Sequence, residues 1–571
     1  MATPSVPEPQ LDSEVFSPTS KNAPKSRESQ PRAAARLVSA QTLRPTSRAA
    51  LKLYLVLVVP SMASICVGYD ISVMNYINGM EQYLSYFGLQ GQGSGGGVGS
   101  TTGLIFAMPH PTAFQYTIGT CIAVLFAGPV ADRFGRRGAM FAGGLFCVVG
   151  GTIVTVAKNV EYLKGGRLLL GISTALLQVG APMYVVEISP PQWRGRMSGM
   201  YAGKSPLPLC LYPIAILATI CSGIVTTFTG RWNTSASWRV PFSIQIIPAA
   251  GVFFFSYFIP ESPRWLMSVG RKEEAGQILS RYHGNGDANA PLVVLELSEF
   301  EDSIKVDASR KHWWDYASLF KTRSDRYRSS LVLFLAFCGQ WGGSGLSYFL
   351  VVLLANDHIS TENLRLILSL INNIVGAIGA LCGALLSDKV GRRSIWFWGT
   401  VCCTISLIIS GVCTATSGLG VRNHAQSNAA IAFLLLFNFF FCATYVPLPA
   451  AYVSECMTFD NRYTFVASTA SLVNTYATPI ALANIQWKLY FVFIAWDVFA
   501  CVLIWIFAVE TSGKTLSFTA SEELNSIFEV SFPLYLSASD NSCQEAHPVK
   551  ASLRKLWTAP LTVLNLSDVK N

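Results

Sequence analysis

Charge is what this 571-residue chain has least of. Asp, Glu, Lys and Arg make up 13% of it, about half the share of an ordinary soluble domain. That scarcity excludes a soluble globule, and 51% apolar residues exclude a disordered chain. Between Lys52 and Arg133 there is no Lys or Arg at all. Cysteine is present, 14 in all, but without CxxC-type pairing, and only Cys543 sits in a polar tail. This argues against a disulfide framework and for small packing residues in helices. The six His show no metal spacing, and no Cys–His or Ser–His–Asp set has a site. No metal, cofactor or covalent catalysis is expected, so the chain does not read as an enzyme. The first 50 residues, rich in Pro, Ser and Arg, lack the apolar core of a cleavable signal peptide. The net charge, 42 − 33 = +9, reads as a basic bias of cytoplasmic loops and not as nucleic-acid binding.

What is there in excess is long apolar runs. A spanning helix needs about 20 mostly apolar residues. Twelve runs qualify: 53–79, 104–131, 138–157, 166–188, 205–227, 240–259, 331–355, 364–387, 394–416, 430–454, 464–485 and 489–509. The fifth, seventh and eleventh are the most interrupted by Gly, Pro or polar residues. The expected fold is an all-α membrane protein with twelve transmembrane helices in two six-helix halves. Residues 1–52 read as a disordered tail, 53–260 as the first half, 261–330 as a linker with short helices, 331–510 as the second half and 511–571 as a tail. Arg133, Arg136 and Arg137 mark one inner loop, and Lys389, Arg392 and Arg393 another. Basic residues accumulate inside, so both tails and the linker are expected to be cytoplasmic. The sequon Asn233-Thr234-Ser235 then lies outside. Gly513-Lys514-Thr515 mimics the end of a nucleotide-binding loop, but the upstream Gly this requires is Ala508.

The halves echo each other. Gly128-Pro-Val-Ala-Asp132-Arg-Phe-Gly135-Arg136-Arg137 follows the second span, and Gly383-Ala-Leu-Leu-Ser-Asp388-Lys-Val-Gly391-Arg392-Arg393 follows the eighth. Glu187 and Arg194 follow the fourth span; Glu455 and Arg462, at the same separation, follow the tenth. Such parallel halves occur in secondary transporters. In each copy the Arg pair can reach its own Asp and the Glu of a neighbouring helix. Asp132, Arg136, Arg137, Glu187 and Arg194, with Asp388, Arg392, Arg393, Glu455 and Arg462, are therefore read as an inner gate of ion pairs.

With these motifs in view, the chain resembles the sugar porter family of the major facilitator superfamily, in particular its fungal hexose-transporter and lactose-permease branch. The matching pieces run from about Tyr54 to Leu516. They are Gly68-Tyr69-Asp70, Gly166-Arg167, Pro182-Met-Tyr184-Val-Val-Glu187, Trp238-Arg239, Pro260-Glu261-Ser262-Pro263-Arg264 and Glu510-Thr511-Ser-Gly513-Lys514. The resemblance implies alternating access, with substrate at the midplane.

Asp70 and Arg167 are charges inside spans, a functional hypothesis by default. In proton-coupled members of the family the matching Asp and Arg pair, which assigns proton coupling to Asp70 and Arg167. A static salt bridge between helices is the alternative. Gln340 matches a sugar-binding Gln, and Gln340-Trp341-Gly-Gly-Ser344-Gly345 resembles the fungal pattern around it. Trp341 offers an apolar face to a sugar ring. Ser344, Tyr348, Asn372, Asn373, Asn438 and Asn474 complete the candidate sugar ligands, and the four Asn serve equally well as bonds between helices. The chain departs from the family at Ala202, where a sugar-binding Gln is usual, at Ser344, at Val453 and in a shortened eleventh span. Lys204 in the fifth span either snorkels to the interface or faces the cavity and favours an anionic substrate. The expected function is sugar import by proton symport; a uniporter, a sugar-acid or polyol carrier and a non-transporting sensor are the alternatives. Expected partners are a small-molecule sugar, the proton and membrane lipid, with no nucleic acid, in a monomer at the plasma membrane.

Overall fold

The computed structural model describes residues 47–88, 111–190, 211–308, 323–348, 362–417, 424–449, 452, 460–485 and 488–509. Among these the regular elements are all helical. Solvation dictates this, because hydrocarbon offers no partner to a backbone N–H or C=O and a helix satisfies its own. The first group is α1 (Arg48–Ile77), α2 (Glu81–Tyr86), α3 (Pro111–Thr155), α4 (Val160–Ile188), α5 (Leu211–Thr229), α6 (Ala236–Ile244) and α7 (Ile246–Phe255). Three short helices follow: α8 (Pro263–Ser268), α9 (Lys272–Tyr282) and α10 (Pro291–Ala308). The second group is α11 (Arg323–Trp341), α12 (Ser344–Tyr348), α13 (Glu362–Val390), α14 (Arg392–Ser417), α15 (His424–Tyr445), α16 (Asp460–Ile485) and α17 (Leu489–Phe507).

A helix stands at each of the twelve expected spans. The second and third spans share α3, the sixth is α6 with α7, and the seventh is α11 with α12. Eight helices among the described residues are long and apolar enough to cross a membrane. The fifth, seventh and eleventh spans fall outside that group, being the ones the sequence marks as interrupted. α1 starts at Arg48 and not at residue 53, because Ser47 Oγ accepts the Ala50 N–H at 3.2 Å and holds the first turn.

The repeat motif has a structural counterpart. α3 breaks at Gly135 (φ 82°), and Gly391 (φ 92°) separates α13 from α14. These equivalent glycines take a backbone conformation that a side chain resists, so each turns two spans about one residue.

Two compact units form, one from Met1–Met74, Phe126–Val225 and Ala236–Lys311, the other from Asn75–Leu125, Thr226–Ser235 and His312–Asn571. In the first, Ala127, Ala131 and Ala139 of α3 pack on Leu176 and Val179 of α4. The linker has its own small core of Leu266, Met267, Ala275, Leu279, Val293 and Phe300. It grips α4 through His283, a buried ring whose Nδ1 meets the Glu296 carboxylate and whose Nε2 meets the Ile188 carbonyl at 3.0 Å. In the second unit, Leu335, Trp396, Tyr445, Tyr452 and Ile504 join α11, α14, α15 and α17. α13 approaches α15 backbone to backbone, so that a Cβ at Gly383 would overlap the Ala443 carbonyl. The described cysteines are all free thiols.

Gly383→Val is therefore expected to lower stability by about 1–3 kcal/mol, the range for overpacking a tight contact. Gly165→Ala, where an added Cβ meets nothing within 4 Å, is expected to be neutral or stabilising. Thermal unfolding of the two variants in detergent micelles checks the contrast.

Candidate functional site

In the first unit Asp70 of α1 faces Arg167 of α4. Arg167 Nη1 donates to Asp70 Oδ1 at 2.9 Å, and both side chains are only 2% exposed. Asp70 Oδ2 has no hydrogen-bond partner among the described residues. The sequence pairing is thus realised across 97 residues. The helices are pinned nearby: Ser72 Oγ meets Ser222 Oγ at 2.6 Å, and Tyr69 Oη donates to the Pro241 carbonyl at 3.1 Å.

A second charge network surrounds Arg136, beside the Gly135 turn. Its guanidinium binds Glu187 with both arms, Nε to Oε2 at 2.9 Å and Nη2 to Oε1 at 3.1 Å. Nη1 reaches Asp132 Oδ1 at 3.1 Å and the Ala131 carbonyl at 3.0 Å. This is the bidentate geometry for which a guanidinium is shaped. Two members escaped the sequence reading. Glu261 Oε1 accepts the backbone N–H of Arg136, Arg137 and Ser262 at 3.1, 3.2 and 2.9 Å. Ser262 Oγ donates to Glu187 Oε2. The Gly135 turn leaves room for Glu261, since a Cβ there would strike its carboxylate. Burial pushes the Glu261 carboxyl above the usual carboxylate range, against the pull of those three N–H groups and of Arg137. Arg137 does not reach Glu187. It lies over the Tyr257 ring at 5.0 Å and donates to the Ile259 carbonyl at 3.3 Å.

Arg392 is buried, whereas Arg393 Nη2 donates to the Trp505 carbonyl of α17 at 2.8 Å. Arg194 and Glu455 lie outside the described residues, as do the side chains of Asp388, Arg462 and Tyr348. Ala202, Lys204 and Val453 also lie outside.

The seventh span is broken. α11 ends at Trp341 and α12 begins at Ser344, with Gly343 between them at φ 87°. Such a break frees main-chain groups, and Asn474 of α16 meets them. Its Nδ2 donates to the Gln340 carbonyl at 2.8 Å and to Ser344 Oγ at 3.1 Å, while its Oδ1 accepts from Thr478 at 2.6 Å. Trp341 packs edge-on to Phe337 and Trp496, and its Nε1 donates to the Ala470 carbonyl at 3.1 Å. The Gln340 side-chain amide makes no hydrogen bond among the described residues and is half-buried. Asn438 Nδ2 donates to the Asn372 carbonyl at 2.8 Å, and Asn373 Nδ2 donates to Tyr76 Oη. Gln340, Trp341, Ser344 and Asn474 thus form one cluster, and Asn372 and Asn438 a second.

Removing one partner of a buried ion pair strands the other charge, at a cost of about 3–5 kcal/mol. Glu187→Ala is expected to lose stability of that order, and Glu187→Gln, which keeps one acceptor for Arg136, distinctly less. Thermal unfolding of the purified variants reads the difference; equal losses would contradict the bidentate assignment.

Residues 56–522 match the family model described as "Sugar (and other) transporter". Among curated proteins, the chain is 28% identical over 466 residues to the MFS-type transporter criB of Aspergillus cristatus, covering 80% of this chain and 90% of that one. It is 27% identical over 513 residues to high-affinity glucose transporter 1 of Candida albicans, covering 86% and 88%. It is 26% identical over 513 residues to a quinate permease of Neurospora africana, covering 85% and 91%. Among solved structures, the E. coli xylose transporter XylE in a partially occluded inward-open form superposes with a TM-score of 0.64 at 19% identity, over 80% of this chain and 100% of that one. The same protein, described as a proton:xylose symporter of the major facilitator superfamily, gives 0.62 at 21% over 83% and 99%. The likeness to those structures shows the twelve-helix major facilitator fold, and the chain belongs to the sugar transporter family of that superfamily: an integral membrane transporter, not an enzyme.

Proposed function

We propose that this chain imports a sugar together with a proton by alternating access. One observation carries the proposal: Asp70 and Arg167 form an ion pair 2.9 Å long, with each side chain 2% exposed, inside two spans. A proton arriving at Asp70 removes the negative half of the pair and leaves Arg167 without its counter-charge. Conformations that separate α1 from α4 then become accessible, so proton binding and helix movement are linked. Asp70 Oδ2, free of hydrogen bonds among the described residues, is the oxygen open to that proton. The similarity to a glucose transporter and to a proton:xylose symporter supports the reading.

Within it, Gln340 gives its side-chain amide to sugar hydroxyls and Trp341 presents an apolar edge to the ring. Ser344, Asn372, Asn373 and Asn438 are further sugar contacts, and Asn474 holds the broken span in register. The Arg136–Glu187 network latches the cytoplasmic ends while the cavity faces out. The protein works as a monomer in the plasma membrane, with both tails in the cytoplasm.

A second reading concerns the substrate. Lys204 and the similarity to a quinate permease favour a polyol acid over a neutral sugar.

Uptake in a host lacking its own sugar transporters tests both. Glucose, xylose, lactose, quinate and galacturonate are offered from pH 5 to 8, with and without a protonophore. Neutral-sugar accumulation is expected to collapse with the protonophore, and Asp70→Asn to abolish accumulation. Insensitivity to the protonophore would leave a uniporter. Quinate uptake lost in Lys204→Ala would select the acid. Gln340→Ala is expected to weaken sugar affinity by about ten-fold, the equivalent of roughly 1.4 kcal/mol for one well-placed hydrogen bond. Half-saturation concentrations from the same assay measure it.

A further inference from the structure

Asp497 stands near the middle of α17, where every other residue from Leu489 to Phe507 is uncharged. Its side chain is buried, at 2% exposure, and Oδ2 has no hydrogen-bond partner among the described residues. No described Lys, Arg or His pairs with it, in contrast to Asp70. The titratable groups that face it are Cys338 of α11, Cys403 of α14, Tyr445 of α15 and Cys501 one turn along α17. All are neutral at physiological pH by their ordinary behaviour. Tyr445 is already engaged with Thr400 Oγ1 at 2.8 Å. A charge set in hydrocarbon without a partner is costly, so such a residue is expected to have a function.

Its position says which function. Oδ1 lies against the break in the seventh span, 3.0 Å from where a Cβ on Gly342 would stand. The neighbouring Trp496 packs on Trp341, ring centroids 5.2 Å apart. Two consecutive residues of α17 therefore back Trp341 and Gly342, directly behind the segment that carries Gln340. While α11 and α12 rest on α17, the carboxyl group is shut among thiols, a phenol and main chain. Parting of this contact would let water reach the carboxyl and solvate a charge there.

We propose that Asp497 is a second proton-binding residue of the transport cycle, loaded while the broken seventh span packs on α17 and emptied when that contact opens. The step is a simple protonation: as the contact closes and before water leaves, one carboxylate oxygen forms an O–H bond with a proton given up by a hydronium ion, which remains as water, and the closed contact then holds that proton. The idea rests on the reading of the chain as a proton-coupled importer. It adds a carrier in the second unit, placed behind the α11 segment that carries Gln340, so that sugar bound there and the packing of α11 on α17 act on the same contact. Binding of sugar and binding of this proton then favour each other, with a coupling of about 5–150-fold in the usual range.

The test uses the full-length protein in liposomes and two readouts. Infrared difference spectra from pH 5 to 9 follow the carboxylic-acid C=O stretch. A titrating band is expected to remain in Asp70→Asn, to be lost when Asp497→Asn is added to that variant, and to be restored when Asp497→Glu is added instead. Sugar added at constant pH is expected to shift the midpoint of that band. In parallel, the ratio of sugar uptake at pH 5 to uptake at pH 8 is expected to fall about ten-fold in Asp497→Asn, within the same coupling range, and to recover in Asp497→Glu. A band that persists unchanged when Asp497→Asn is added, or a midpoint blind to sugar, overturns the proposal. So does a wild-type pH ratio in a folded Asp497→Asn protein. Failure of the proton-coupled reading looks different: wild-type liposomes would carry sugar without any proton movement, whatever the infrared band does.

Discussion

Every main-chain amide that crosses hydrocarbon has to find its partner within the protein, and every charge placed there has to find a counter-charge or stay neutral. The helices answer the first demand. The more informative parts of this molecule are those where the helix alone does not suffice. Where the seventh span stops at Trp341 and resumes at Ser344, the side chain of Asn474 binds the exposed Gln340 carbonyl. Where α1 carries Asp70, α4 brings Arg167 to it. Where α3 turns at Gly135, the new backbone N–H groups are collected by the Glu261 carboxylate. Irregularity and compensation occur in pairs.

This explains why some features were legible in the sequence. Long apolar runs mark the spans, because burial in lipid tolerates little else. The Gly135 and Gly391 corners were legible because only glycine suits their backbone and the surrounding motif occurs twice. Asp70 and Arg167 stand out as charges in apolar surroundings, and their partnership follows from the resemblance to a family. Other features resisted. Glu261 joins Arg136 across 125 residues, and no local pattern announces a carboxylate that binds main chain instead of side chains. Arg137 has the same neighbours in sequence as Arg136 but emerges from the turn in another direction, toward Tyr257. Asn474 could be read as a sugar ligand or as a bond between helices, and which it is depends on a helix break that hydropathy does not locate. Asp497 was readable as a lone charge in an apolar run, but that no described Lys, Arg or His pairs with it is a three-dimensional fact.

The weakest spans by hydropathy illustrate the same principle. The fifth, seventh and eleventh are interrupted by Gly, Pro and polar side chains. Of these, the eleventh supplies hydrogen bonds to the broken seventh. Low hydropathy there reflects polar atoms that serve neighbouring helices, so these spans are the ones least able to be exchanged for a generic apolar helix.

The grip of the linker on α4 has a consequence of its own. His283 holds the carbonyl of Ile188, a main-chain atom that every amino acid possesses. Replacement of the Ile188 side chain therefore leaves the attachment point in place. The handle is keyed from one side only: His283 and Glu296 decide whether it closes, and α4 offers an anonymous loop of backbone to be held. At this contact α4 can drift in sequence without letting go of His283, whereas the Ser262–Glu187 bond beside it depends on a side chain of α4 itself.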